Sequence, residues 1–176
     1  MPEKFLRLSM LFQWICRFAL VALPVTLLAV GIYAVQDPSA IADQMPGITL
    51  SGTPTPAMLG LAFMLMALPT AATIFVLWQL EALFGLYRRG ETLTQAPARR
   101  IRRIGLGVVT LALVSVLVRP VAGLVLTMAN PPGARQLSVT LSSADIGLIL
   151  AGGLMVMIGR IMGEAARIAE ENRGFV

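Results

Sequence analysis

The sequence predicts an all-α integral membrane protein: a four-helix bundle with both termini in the cytoplasm and a fourth helix that extends past the membrane. Three observations lead there. The 176 residues are 57% hydrophobic and 13% charged, with a mean hydropathy of +0.81, outside the usual range of soluble domains. Four apolar stretches are long enough to cross a hydrocarbon core of about 30 Å at about 1.5 Å per helical residue. Positive charge is confined almost entirely to alternate ends of those stretches.

The whole chain, residues 1–176, reads as one membrane domain. The first span runs over about 14–35, the second over 57–80, the third over 104–128 and the fourth over 143–162. A basic connector, 81–103, joins the second to the third, and a tail helix, 163–173, follows the fourth. Between the first two spans, residues 36–56 carry Asp37 and Asp43, no lysine or arginine, and the proline, glycine and threonine of an exposed loop. Lys4, Arg7 and Arg17 precede or open the first span, Arg88, Arg89, Arg99, Arg100, Arg102 and Arg103 fill the connector, and Arg160, Arg167 and Arg173 follow the fourth span. Twelve of the fourteen basic residues thus fall on one side, with Arg119 and Arg135 left over. Short loops rich in arginine and lysine stay cytoplasmic, so both termini and the connector are expected there. Trp14 and Trp78 at the inner headgroups and Tyr33 at the outer ones agree with these limits.

Composition also excludes functions. With one cysteine, Cys16, and no histidine, the chain offers no disulfide framework, no zinc cage, no haem ligand and no histidine base. No cofactor, metal site or catalytic residue is expected, and the chain reads as a non-enzyme. A pI near 10.7 would suggest nucleic acid in a soluble protein. Here the arginines flank apolar runs, so they encode orientation and no direct nucleic-acid contact is expected. A cleaved signal peptide would need a shorter apolar run and a small-x-small site after it; the uncharged run from Phe18 to Val35 is long and lacks one. Ten methionines without histidine or a second cysteine make a poor copper(I) site.

Gly90 suits the C-terminal end of the second helix, Thr94 the N-cap of the third, and Pro97 its first turn. The second helix should therefore run to Arg89. Arg99, Arg100, Arg102 and Arg103 are candidates to contact anionic lipid of the inner leaflet or a partner, beside the plainer reading of solvated orientation signals. Arg119 lies sixteen residues past Arg103, about 24 Å along a helix axis, just inside the outer edge of the hydrocarbon. It can snorkel to the headgroups or pair with Asp145, which stands at similar depth at the start of the fourth span. The run Ser142-Ser-Ala-Asp145 is also laid out as a capping box.

In the tail, Arg160 with Glu164 and Arg167 with Glu171 are spaced four apart, as exposed helical ion pairs are. Ile161, Ala165 and Ile168 form an apolar stripe suited to the inner leaflet, to a partner helix or to the protein's own second helix. Gly159 and Gly163 have GxxxG spacing, which serves close packing within the chain or a homo-oligomer. Pro24, Pro69 and Pro120 each remove a backbone donor from a span.

Two segments, ALFGLYRRGETLTQAPARRIRRIG and LSVTLSSADIGLILAGGLMVMIGRIMGEAARIAEENRGFV, resemble a bacterial four-span family of uncharacterised membrane proteins, domain of unknown function 2975. Gly90, Thr92 or Thr94, Arg102 and Ile104 carry its first pattern, and Glu170, Glu171 and Val176 its second. The resemblance implies an inner-membrane location and a cytoplasmic helix-turn-helix regulator as a partner. It implies no catalytic residue. Two functions follow as expectations: a membrane-anchored interaction or regulatory partner, and, from the prolines and Arg119, a small transporter or channel subunit.

Overall fold

The computed structural model describes residues 3–37, 52–92, 94–131, 137 and 139–173. Asp43, Arg135 and Val176 lie outside them. Four helices account for most of what is described: α1 (Glu3–Gln36), α2 (Pro56–Arg88), α3 (Gln95–Thr127) and α4 (Ser143–Arg173). Each contains a segment long and apolar enough to cross a membrane, and the protein is a multi-pass membrane protein of helical-bundle architecture.

The helices are longer than the hydropathy maxima because helix propensity and capping, not greasiness, decide where they stop. Pro56 at the first turn and Thr55 as N-cap, whose Oγ1 accepts from Met58 N at 3.4 Å, start α2. It ends at Arg88, and Gly90 takes φ +82°, the left-handed geometry that closes a helix C-terminus without a Cβ penalty. The connector is therefore mostly the ends of two helices with a short turn between. Thr94 stands at the N-cap of α3 with extended backbone but makes no side-chain cap, and its Oγ1 is buried without a partner. α1, α2 and α3 continue through Pro24, Pro69 and Pro120, and the hydroxyls of Thr70 and Thr73 bond back to the carbonyls of Met66 and Pro69.

Each helix packs on its neighbours in sequence: α1 on α2, α2 on α3 and α3 on α4, with no further pairings among the described residues. The bundle is an open row, and α3 is its most buried member. α2 meets α3 through Val76, Leu80, Leu83 and Tyr87 against Ile101, Ile104 and Val108. The α3–α4 contact is closer. Ala98, Gly105 and Ala112 on α3 recur every seven residues and are buried, as are Gly152, Gly159 and Ala166 on α4. These small residues bring the two backbones together, since a Cβ on Gly105 would stand 2.6 Å from Gly152 O and one on Gly159 would stand 2.6 Å from Arg102 N. Elsewhere large side chains such as Phe18, Leu117 and Leu150 are exposed, as suits surfaces solvated by lipid tails.

Substitutions in this seam are expected to divide sharply. Gly152→Ala should lower stability in micelles by about 1–3 kcal/mol through overpacking. Gly153→Ala, one residue away with nothing within 4 Å of its would-be Cβ, should be neutral or slightly stabilising. Unfolding of the two variants in mixed detergent checks this.

Candidate functional site

Side-chain hydrogen bonds between helices gather at the two ends of the helix axes. At the end that holds the N-terminus of α1, the turn between α2 and α3 and the C-terminus of α4, every helix junction is closed by a polar bond. Between α1 and α2, Glu81 Oε1 accepts from Gln13 Nε2 at 2.7 Å, Arg17 Nη2 at 2.8 Å and Arg17 Nε at 3.0 Å. Arg88 Nη1 donates to Gln13 Oε1 at 2.8 Å, completing a four-residue chain. Phe12 stacks on Phe84 beside it, with centroids 5.4 Å apart. Between α2 and α3, Arg100 Nη1 donates to the buried Gln79 Oε1 at 2.6 Å. Between α3 and α4, Gln95 Nε2 donates to Gly163 O at 2.8 Å.

At the other end, Arg119 and Asp145 form a bidentate pair, Nη1 to Oδ2 at 3.0 Å and Nη2 to Oδ1 at 3.1 Å. The carboxylate is 1% exposed and the guanidinium side chain 51%, so the arginine reaches the pair from a surface facing out of the protein. The capping geometry coexists with the pair. Asp145 Oδ2 also accepts from Ser142 N at 3.0 Å and Ser142 Oγ at 2.7 Å, while Asp145 N donates to Ser142 Oγ at 3.2 Å. One carboxylate thus both starts α4 and ties it to α3. Nearby, the buried Asn130 accepts from Gly52 N at 3.3 Å and joins the start of α2 to the end of α3.

The remaining residues singled out in the sequence are placed as follows. Arg99, Arg102 and Arg103 are exposed, whereas Arg100 is half-buried and engaged by Gln79. Gly159 is in the α3–α4 seam, while Gly163 makes only ordinary contact there, its would-be Cβ 3.7 Å from Ala98 Cβ. Ile161 and Ile168 are exposed at 65% and 49%, and Ala165 is exposed with them. The stripe does not pack on α2, because among the described residues α3 is the one helix that α4 packs on. Tail ion pairing also differs from the spacing. Arg167 binds Glu164 as well as Glu171, and Glu164 turns to Arg167, three residues on, instead of back to Arg160. The Gln13, Gln79, Glu81 and Gln95 joints were not singled out in the sequence. Their signal was present as polar residues of matching depth, with Gln13 and Arg17 four apart on one helix and Glu81 and Arg88 seven apart on the next.

A cavity of about 360 Å³ opens between the distal halves of α1 and α2, with Leu126 of α3 on its floor. Leu27, Gly31, Leu59, Phe63 and Met66 line it, and every side chain around it is apolar. It holds no group that could do chemistry.

Two outcomes are expected from the polar joints. In a double-mutant cycle read by unfolding in micelles, Arg119→Leu should destabilise by about 1–3 kcal/mol by leaving a buried carboxylate with its Ser142 bonds but no countercharge, and adding Asp145→Asn should cost little more. Full additivity would show that the pair contributes nothing. At the other end, the buried Cys16 reports directly on the α1–α2 joint. Glu81→Ala should free α1 to open locally, and alkylation of Cys16 by a maleimide should speed up about tenfold or more, roughly the effect of losing 1–2 kcal/mol of local stability.

No curated protein and no solved structure matches the chain. A family model described as protein of unknown function (DUF2975) matches residues 34–173, which takes in α2, α3, α4, the Arg119–Asp145 pair and the seam between the last two helices, but not Gln13 and Arg17 of the α1–α2 joint. The chain belongs to that family.

Proposed function

We propose that the protein is a non-enzymatic membrane anchor that engages a partner protein through its tail helix and the adjoining connector, on the cytoplasmic face of a bacterial inner membrane. One observation carries the reading. Gln95 and Gly163 are hydrogen-bonded, so the connector's end and the start of the tail form one continuous surface, and beyond it Ile161, Ala165 and Ile168 present an unpartnered apolar stripe. Helices recognise grooves with anchors at this spacing. Arg167, held between Glu164 and Glu171, stiffens the helix that carries them. The sidedness rests on the distribution of arginine. A small helix-turn-helix regulator is the partner that family resemblance suggests.

Transport is the rival. The distal cavity supplies no polar route, since apolar side chains alone line it, and the arginine deepest in the spans already has its carboxylate.

A photo-cross-linking residue at Ile168 should capture a cytoplasmic helix-turn-helix protein in cells, and the same probe at Leu113, exposed midway along α3, should capture only lipid. Lipid alone from both positions would end the proposal.

A further inference from the structure

We propose that α3 and α4 together form a binding site for the headgroup of an anionic phospholipid, built from Arg99, Arg102, Arg103 and Arg160. The first observation is one of accounting for charge. Arg17, Arg88, Arg100, Arg119 and Arg167 each have a partner in the chain. Arg99, Arg102, Arg103 and Arg160 are exposed and have none among the described residues. The carboxylate nearest to Arg160 on its own helix face, Glu164, is held by Arg167, and the first turn of α3 contains no acidic residue.

The second observation is that these four charges converge. Gly159 lets α4 approach until a Cβ there would stand 2.6 Å from Arg102 N and 2.9 Å from Ala98 O, which places Arg160 beside the arginines of α3. On α3, Ala98 faces α4 and Arg100 faces Gln79 of α2. At about 100° per residue, Arg99 and Arg103 fall on the strip between those directions, with Arg102 nearer α4. The helices are antiparallel, so the one-residue step from Gly159 to Arg160 rotates towards that same side of the hairpin. Along this strip, Leu106, Leu113 and Leu117 follow Arg99 and Arg103 and are exposed, giving an acyl surface directly below a basic one.

Like charges three and four apart on a helix repel, and four at one end of a hairpin favour an external anion. A phosphate diester accepts several guanidinium donors at once, and the leucine strip takes the chains attached to it. The combination selects a membrane phospholipid of net negative charge. The site is separate from the tail stripe, which points away from α3, so it stands or falls independently of the partner protein.

The full chain, purified in neutral detergent, should retain phosphatidylglycerol in native mass spectrometry and melt at a higher temperature with it, and should do neither with phosphatidylcholine. With each arginine contributing about 1 kcal/mol near a membrane surface, Arg160→Gln should weaken retention about fivefold, and Arg99→Gln, Arg103→Gln and Arg160→Gln together about a hundredfold. Arg89→Gln, which removes an exposed arginine outside the site, should leave retention unchanged. Equal losses from Arg160→Gln and Arg89→Gln, equal retention of phosphatidylcholine, or full displacement by inorganic phosphate would each overturn the site. If the triple variant fails to fold, the single Arg160→Gln comparison decides.

Discussion

Direct backbone contact between α3 and α4 is the constraint on which the arrangement depends. Lipid tails are as apolar as leucine, so apolar side chains gain little by leaving them for one another, and helices associate where surfaces fit closely. Gly105 and Gly152 supply that fit at the middle of the seam, Gly159 and Ala98 at one end. Once the backbones touch, both ends fall into range of polar closure: Gln95 reaches Gly163 O, and Arg119 reaches Asp145. The seven-residue recurrence of the small positions keeps one line of contact along both helices, as in a coiled-coil seam.

The separation of polar from apolar joints follows from the solvent. A hydrogen bond between side chains is affordable near the headgroups, where water completes the remaining valences, and a carboxylate at mid-membrane would need full neutralisation. The glutamate on α2 accordingly sits at the polar end with three donors around it, and the buried aspartate on α4 sits at the first turn with its cap and its arginine. The α2–α3 contact between these ends is aliphatic and aromatic, apart from Gln79, which Arg100 satisfies.

How much of this was legible in the chain depended on the range of the signal. Hydropathy and arginine placement made four spans plain, because each span must meet the bilayer by itself. Arg119 and Asp145 could be matched because both lie a countable number of residues from a membrane edge. Helix ends were less legible: α1 and α4 continue well beyond their apolar cores, since propensity carries a helix into water where hydropathy no longer marks it. Thr94 had the right residue type and backbone for a cap, yet its hydroxyl does not make one. Glu81 with Gln13 and Arg17 was hidden because those residues lie 68 and 64 positions apart, and nothing local fixes the rotation of α1 against α2. Arg100 looked equivalent to its neighbours in a run of arginines. Only the direction of α2 distinguishes the one that turns inward.

The open row also bears on how the protein is made. α1 leaves the ribosome before α2, and among the described residues α2 is the one helix it packs on. Until α2 follows, α1 lacks that partner, and its exposed girdle of Phe18, Val21, Val25 and Leu28 suits it to a lipid surround. Arg17 spends that interval without its glutamate, within reach of Trp14, whose ring centroid lies 5.9 Å from the guanidinium carbon. The recognised family unit begins at residue 34, where this helix is nearly over. A helix that lies almost wholly outside that unit is thus made before α2, and α2 must arrive before the two can be joined.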